Sequence, residues 1–202
     1  MSFSKQSEAH LTENYVVLDI EIAPENYEDE QIKEYLMDKN FPRKMHPLFS
    51  RIILIGLKPA NKETELFYPK DEKDLLNRFW SRLSELKPAH VVTFNGYNFD
   101  IPFIEIRSKI KEVLPTMGIN QNKYKMDNSN HFDCMQMLSA GQTFLNVALE
   151  ISCRVLGISV PEERVSGEAV PKLYAAGELD ILKEHCKQDV ELTEQLYLKL
   201  RG

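Results

Sequence analysis

The sequence has no long apolar run and few cysteines. No segment approaches the roughly 20 consecutive apolar residues of a membrane-spanning helix. The polar N-terminal segment also has none of the apolar core of a secretory signal. The three cysteines, Cys134, Cys153 and Cys186, form no closely spaced pair. Scattered cysteines of odd number are typical of reduced thiols, so we expect a cytoplasmic protein without membrane contact.

An excess of positive charge is also missing. The chain has 25 lysines and arginines against 31 aspartates and glutamates, which gives a formal net charge of −6. This balance disfavours binding to a phosphate backbone, unless several carboxylates hold divalent cations and thereby reverse the local charge. Basic residues do cluster at 43–51 and 107–111, although a solvated surface is the alternative interpretation of such clusters.

The length of 202 residues suits one domain with a full-sized core. Residues 1–13 are predicted to be a flexible tail, and residues 14–202 to form the domain. Strands are predicted at 15–22, 51–58, 63–68, 89–94 and 131–133, and helices at 27–39, 71–86, 101–113, 134–139, 144–156 and 180–200. Segments 40–50 and 158–178 are expected to be irregular. This order predicts an α/β fold with one mixed sheet flanked by helices.

Two carboxylates, Asp19 and Glu21, lie two residues apart on the first predicted strand. Alternation along the strand places them opposite a face of four apolar residues: Val16, Leu18, Ile20 and Ile22. Buried like charges repel and are costly to desolvate, so a hard divalent cation is their natural partner. The alternative is a solvated face, as on an edge strand, and the pair taken alone favours that alternative.

A third carboxylate, Asp100, follows the predicted strand 89–94 and the turn signal Asn95-Gly96. Ligands commonly bind where strands end in α/β folds, so Asp100 is a candidate site residue. It is equally well placed to cap the helix that begins there. This segment by itself leaves both interpretations open.

His185 and Asp189 occupy positions i and i+4 of the last predicted helix and therefore share one face. The adjacent stripe of this helix is mostly apolar and marks its core side: Leu182, Cys186, Val190, Thr193 and Tyr197. His185 and Asp189 lie at the margin of the stripe and are expected to face the sheet. An ordinary His–Asp pair on the helix surface is the alternative.

Together, these motifs occur in an order that resembles the DEDD superfamily of 3′–5′ exonucleases, which have a ribonuclease-H-like fold. The sequence is most similar to the proofreading exonuclease domains of family B DNA polymerases and their stand-alone relatives. The resemblance extends over residues 15–200. Four stretches carry it: LDIEIAPE (18–25), TFNGYNFDIPFI (93–104), HFDCMQML (131–138) and HCKQDVELT (185–193).

The resemblance implies a catalytic site with two divalent cations, Mg²⁺ or Mn²⁺. Asp19 would bridge both cations. Glu21 and Asp189 would bind the one that activates water, and Asp100 would serve the other. His131 and Asp133 match a block interpreted as structural, and the spacing of Asp133 and Gln136 predicts a capping box, in which each side chain bonds to the backbone of the other. The residues expected to contact substrate, by lining the nucleotide pocket or by stacking and charge, are Ile20, Asn95, Tyr97, Phe99, Arg107 and Arg43.

One position departs from the family pattern. The tyrosine branch of the superfamily has a tyrosine four residues before the last aspartate, and the histidine branch has a histidine five residues before it. Here His185 lies four residues before Asp189. The hypothesis is that His185 does the tyrosine's work and orients or deprotonates the attacking water, because imidazole suits general-base catalysis near neutral pH. A passive role beside the cations is the alternative.

The activity implied is hydrolysis of phosphodiesters at single-stranded 3′ ends, with release of nucleoside 5′-monophosphates. The sequence leaves open whether DNA or RNA is preferred, and whether structured substrates are cut internally. An inactive nucleic-acid-binding module is the non-enzymatic alternative. A polymerase, a helicase or another repair protein is the expected kind of protein partner. Segments 24–50 and 158–178 are unassigned, with a lid, a docking surface and a border of the site as the options.

Overall fold

The sheet is mixed and has five strands. The computed structural model describes residues 14–37, 46–122 and 129–201, so the predicted tail at 1–13 and the candidate Arg43 lie outside it. The strands are β1 (Tyr15–Pro24), β2 (Ser50–Pro59), β3 (Glu65–Phe67), β4 (His90–Thr93) and β5 (His131–Asp133). Their order across the sheet is β3-β2-β1-β4-β5. The β1–β2 and β2–β3 pairs are antiparallel, and the β1–β4 and β4–β5 pairs are parallel. The predicted mixed sheet is therefore confirmed.

The helices of the described residues agree with most of the predicted ones. They are α1 (Glu30–Met37), α2 (Glu72–Leu86), α3 (Asp100–Ile110), α4 (Cys134–Leu138), α5 (Leu149–Val155), α6 (Val170–Ala176) and α7 (Leu179–Arg201). None of them combines the length and the apolar character that crossing a lipid bilayer requires.

Two of the local predictions were wrong in part. The predicted helix 144–156 begins only at Leu149, because a 3-10 turn (Thr143–Leu145) and extended residues precede it. The segment 158–178, predicted to be irregular, contains α6. Pro171 lies in the first turn of α6. Proline is tolerated at that position because the N–H it lacks has no partner within the helix.

Strand β1 is buried on both faces because helices cover both sides of the sheet. Its predicted apolar face packs with α2 and α3 in one core cluster. The opposite face, which begins with Tyr15 and Val17, packs with α5 and α7 in a second cluster. Asp19 and Glu21 lie on this second face, under α7. The solvated-face alternative for the two carboxylates is therefore wrong.

A close approach of α7 to the sheet depends on Gly56. This glycine pairs with Asp19 across the β1–β2 ladder. A Cβ atom at Gly56 would lie 2.7 Å from Sγ of Cys186 and 2.8 Å from Cγ2 of Val190. Because such contacts are far below van der Waals distance, only glycine lets α7 approach closely enough to place its side chains over the carboxylates of β1.

Candidate active site

A cavity of about 730 Å³ opens beside the second half of β1. Its wall combines β1, the residue before α3, the segment 166–172 and α7. The predicted site residues on this wall are Asp19, Ile20, Glu21, Phe99, His185 and Asp189. The cavity therefore brings residues from both ends of the chain to one place, and the unassigned segment 158–178 borders it.

Asp19 and Glu21 form the centre of the site together with a residue that the sequence did not indicate. One ligand atom from each of Asp19, Glu21 and Cys186 lies within 4.8 Å of the other two. The thiol of Cys186 lies beside the Asp19 carboxylate and lowers the pKa of that group. The sequence pattern placed Cys186 on the core-facing stripe of α7, and its sulfur is indeed buried. At Cys186, that stripe contacts the carboxylates of β1. The periodicity of the helix alone does not reveal this contact.

Asp100 reaches the same cluster from the first turn of α3. Its carboxylate accepts a hydrogen bond from the backbone N–H of Ile20 at 3.2 Å, and the residue is 2 % exposed. This N–H is available because the pairing between β1 and β4 ends at Val17 and Val92. The helix-cap interpretation of Asp100 is wrong, because Phe99 occupies the N-cap position. Asp100 thus lies behind the cavity wall, next to Asp19 and Glu21.

Burial and mutual repulsion make the three carboxyl groups reluctant to ionise. Burial, reinforced by the charge of Asp100, raises the pKa of Glu21 to about 8. Burial also raises the pKa of Asp100 to about 8, and burial together with both neighbouring charges raises the pKa of Asp19 well above its ordinary value. Such a cluster favours a cation. Hard carboxylate oxygens are the ligands that Mg²⁺ and Mn²⁺ prefer, so the residues fit the predicted divalent cations.

His185 lies between Glu21 and Asp189 and faces the sheet. Its Nε2 atom is 3.4 Å from Oε1 of Glu21 and 3.9 Å from Oδ2 of Asp189. The residue is 5 % exposed, which excludes the alternative of a pair on the helix surface. Burial, with a contribution from the charge of Arg164, lowers the pKa of His185 to about 4. The imidazole is therefore uncharged at neutral pH and has a lone pair that can accept a hydrogen bond.

Asp189 has a basic partner that the sequence did not predict. Nη2 of Arg164 contacts Oδ1 of Asp189, and Nη1 of Arg164 is 3.8 Å from Oε2 of Glu150. The positive charge of Arg164 also acts on the cluster by lowering the pKa of Asp19. Arg164 lies in a segment without sequence periodicity, 25 residues before Asp189, so no local pattern pointed to it.

The turn that leads to Asp100 is held by Asp133. The Asp133 carboxylate accepts hydrogen bonds from the backbone N–H groups of Asn95 (2.9 Å) and Tyr97 (3.0 Å). It also accepts from the N–H groups of Met135 and Gln136 at the start of α4, which confirms Asp133 as the N-cap. The predicted reciprocal bond from Gln136 is not formed, because both polar atoms of its side chain lack a hydrogen-bond partner among the described residues. One carboxylate thus joins the end of β5 to the turn after β4, and this fixes the start of α3.

Three of the predicted substrate contacts that the structure describes are not on the cavity wall, and two of them, Asn95 and Tyr97, belong to this turn. Tyr97 is 6 % exposed, and its hydroxyl donates to the backbone carbonyl of His131 at 3.2 Å. The side-chain oxygen of Asn95 accepts from the Asn98 amide at 2.8 Å. The prediction that Tyr97 grips the substrate is corrected, because its side chain points back over β5 and packs on the His131 ring.

Arg107 is also corrected, from a substrate contact to a buried structural residue. It is 1 % exposed and forms hydrogen bonds with both carboxylate oxygens of Glu72, at 2.9 and 2.5 Å. It also donates to Glu25 at 2.5 Å and to the carbonyl of Pro47 at 3.0 Å. The basic cluster at 107–111 had indicated a charged surface. Instead, α3 turns Arg107 inward, where it joins α2 to the segments on either side of α1.

Comparison with known proteins supplies the family. A protein-family model described as "Predicted 3'-5' exonuclease related to the exonuclease domain of PolB" matches residues 60–202. The chain belongs to this family. The range that matches the PolB-related exonuclease family contains Asp100, His185 and Asp189, whereas Asp19 and Glu21 precede it.

Two kinds of curated relatives support the membership of this PolB-related exonuclease family. The "Uncharacterized protein MJ0365" of Methanocaldococcus jannaschii is 30 % identical over 167 residues, which cover 76 % of this chain and 87 % of that protein. The catalytic polypeptide of DNA polymerase epsilon from Eremothecium gossypii is 28 % identical over 145 residues, which cover 66 % of this chain. The matching region is only 6 % of that polymerase polypeptide, so this chain corresponds to a small part of it.

A solved structure confirms the fold of this member of the family. The family B DNA polymerase from Pyrobaculum calidifontis superposes with a TM-score of 0.71 over 93 % of this chain, at 18 % sequence identity. The region that superposes is 24 % of the polymerase chain. The predicted ribonuclease-H-like fold, a mixed sheet flanked by helices, is thereby confirmed.

Proposed function

We propose that the protein is a metal-dependent 3′–5′ exonuclease that removes nucleoside 5′-monophosphates from single-stranded DNA. One observation carries the proposal. Asp19, Glu21 and Asp100 come from two distant parts of the chain and meet in one cluster beside a cavity, with Glu21 and Asp100 buried and Asp19 partly exposed. His185 and Asp189 of α7 lie on the wall of the same cavity. A buried cluster of this charge is costly without cations, and it matches the order of residues that the family resemblance implies.

The roles of the acidic residues follow from their positions. Asp19, Glu21, Asp100 and Asp189 would hold two divalent cations. When bound, such a pair of cations supplies an activated water and stabilises the charge that develops on the leaving oxygen. Asp19 is close enough to both Glu21 and Asp100 for each of their charges to raise its pKa, which suits the bridging role that the resemblance implies.

His185 is proposed to orient the attacking water and to accept its proton. The uncharged ring presents Nε2 toward Glu21 and Asp189, which are two of the proposed cation ligands. A water held by those ligands would therefore lie next to a nitrogen that can accept a hydrogen bond. General bases placed in this way contribute about 10²- to 10⁴-fold to a rate.

Substrate contacts are proposed for the rest of the cavity wall. Phe99 offers apolar surface next to the carboxylates, and an aromatic ring can stack on a base of any sequence. Ile20 also borders the cavity, but its side chain is buried against α2 and α3, so its proposed contact is through the backbone. Lys172 of α6 brings a positive charge to the same wall, which suits a phosphate of the strand. Because the carboxylates repel phosphate, substrate binding should depend on the cations as well as on these residues.

The decisive experiment follows the fate of both ends of a strand. Single-stranded DNA and RNA of one sequence, labelled at the 5′ or the 3′ end, are incubated with the protein and Mg²⁺ or Mn²⁺. An exonuclease of this polarity releases labelled mononucleotide from the 3′ end at once and shortens the 5′-labelled strand one nucleotide at a time. The Asp19→Asn variant should be inactive, and Asp180→Asn, a change of an exposed carboxylate, should not.

Two results would contradict the proposal. Internal cuts without 3′ mononucleotide would indicate an endonuclease. A folded protein that releases no nucleotide from any strand with either metal would favour an inactive binding module. Faster release from RNA would keep the mechanism and change the substrate.

A further inference from the structure

The two oxygens of the Asp189 carboxylate have different neighbours. Oδ1 is contacted by the guanidinium of Arg164. Oδ2 lies 3.9 Å from Nε2 of His185, which is itself 3.4 Å from Oε1 of Glu21. Oδ2 is therefore the oxygen that faces the carboxylate cluster, and Oδ1 is the oxygen that faces away from it, toward the loop between α5 and α6.

Arg164 is held mainly by this one contact. Its side chain is 10 % exposed, and its other carboxylate neighbour, Glu150, is 3.8 Å away and 50 % exposed. Within the part of the chain that the structure describes, the buried Nε atom of Arg164 has no hydrogen-bond partner. A guanidinium that is largely removed from water needs an ionic partner, so Asp189 and Arg164 constrain each other.

An arginine contact of this kind restricts how a carboxylate can rotate. The guanidinium is planar, permanently charged and directional in its hydrogen bonds. Asp189 itself is only partly buried, with a side chain that is 21 % exposed. Without Arg164 its carboxylate could turn toward solvent, and Oδ2 would no longer be held beside Glu21 and His185.

We propose that Arg164 is a positioning residue for the cation site, which holds Oδ1 of Asp189 and thereby presents Oδ2 of the same carboxylate to a divalent cation. The inference rests on the proposed function, because it takes Asp189 as a cation ligand. Outer partners of this kind typically change metal affinity or activity by about 10- to 100-fold when they are removed.

The charge of Arg164 acts in the opposite sense, because a guanidinium repels a cation. Its contact with Asp189 and the proximity of Glu150 offset much of that charge, so orientation is the larger effect. The two effects make opposite predictions. Loss of orientation weakens cation binding in Arg164→Ala, whereas relief of repulsion strengthens it.

The test measures Mn²⁺ binding to the whole, folded protein by titration calorimetry, which requires no nuclease activity. Arg164→Ala should bind Mn²⁺ about tenfold or more weakly than the wild type. Arg164→Lys should recover part of the loss, since it restores a donor without the planar group. Arg154→Ala, which removes an exposed arginine of α5, is the matched control and should bind like the wild type. Circular dichroism and thermal unfolding establish that each variant is folded.

A double-mutant cycle separates positioning through Asp189 from a general effect on the fold. In the Asp189→Ala background, adding Arg164→Ala should leave the residual Mn²⁺ affinity unchanged or raise it, because the residue that Arg164 positions is gone and the unpaired guanidinium repels the cation. The same tenfold loss in that background would overturn the inference, as would unchanged or tighter binding by the folded single variant. If the wild type binds no Mn²⁺ at all, the proposed function fails with it. If the wild type binds Mn²⁺ and the Arg164 variants bind it with the same affinity, this inference fails and the proposed function stands.

Discussion

The Asp100 carboxylate accepts a hydrogen bond from the backbone N–H of Ile20, with 3.2 Å between nitrogen and oxygen. Ile20 is the residue between Asp19 and Glu21, so this bond joins the first turn of α3 to the strand that carries the other two buried carboxylates. The three groups are thereby held together in the protein without a bound cation. Their mutual repulsion lowers the stability of the fold, but the proposed function requires all three groups. Substitutions can therefore separate the effect on stability from the effect on activity.

Replacement of Asp100 by asparagine should stabilise the cation-free protein and abolish nucleotide release. At about pH 8.5, where these carboxyl groups ionise, the variant removes one of three mutually repelling charges, while the amide oxygen can still accept the Ile20 N–H. We expect a gain of about 1–2 kcal/mol, which for a domain of this size raises the midpoint of thermal unfolding, Tm, by roughly 2–8 °C. Differential scanning calorimetry with chelator measures it. An equal gain in Asp180→Asn, at an exposed carboxylate, would contradict the explanation.

The stability of the cation-free protein should fall as the pH rises. Burial raises the pKa of Glu21 and of Asp100 to about 8, whereas carboxyl groups in an unfolded chain titrate near 4. The stability that these protonated groups contribute is fully present below the unfolded value and is lost as the pH rises through about 8. Wild-type Tm should therefore fall more steeply than that of Asp100→Asn between about pH 5 and 8.5. Parallel curves for the two proteins would show that the cluster does not titrate in this range.

Addition of Mn²⁺ should reverse this loss. The carboxylates must release their protons before they can bind a cation, so the rise in Tm with Mn²⁺ should be larger at about pH 8.5 than at about pH 6. At 100 times the dissociation constant the stabilisation is about 2.7 kcal/mol per site. A Tm shift that is equally large in Asp19→Asn would place the bound cation elsewhere.

Removal of the His185 imidazole should slow hydrolysis without unfolding the protein. We expect His185→Ala to lower the rate of nucleotide release by about 100-fold or more at saturating Mn²⁺. His185→Tyr restores the residue of the tyrosine branch and should recover part of the rate, whereas His185→Gln should not, because it offers no comparable base. Single-turnover kinetics on 3′-labelled DNA measures the chemical step. Near-wild-type turnover in His185→Ala would exclude the catalytic role and leave the passive one.

Replacement of Arg107 should act on stability rather than on substrate binding. Arg107→Gln leaves the buried Glu72 without its bidentate partner, and loss of one member of a buried ion pair costs about 3–5 kcal/mol. A decrease in Tm of roughly 6–20 °C is expected. Lys109→Gln, two residues along α3 and exposed, is the control. An Arg107→Gln protein of normal Tm but raised KM for DNA would reinstate the original prediction of a substrate contact.

Local spacing in the sequence was enough to predict much of this molecule. Alternation along β1 puts Asp19 and Glu21 on one face, and a spacing of four residues puts His185 and Asp189 on one face of α7. Both features depend only on the geometry of a single strand or helix, so they could be predicted without knowledge of the rest of the fold. The mixed sheet follows in the same way from the order of the predicted elements.

Contacts between distant segments were decided only by the tertiary structure. Arg164 reaches Asp189 from a loop without periodicity, and Cys186 meets Asp19 because Gly56 lets α7 lie close to the sheet. Arg107 and Tyr97 carry side chains that suit substrate binding, yet packing turns both of them into the core. A residue type states which interactions a side chain can make. Which of these it does make depends on the partners that the packed elements bring within about 3–4 Å, and no local pattern contains that information.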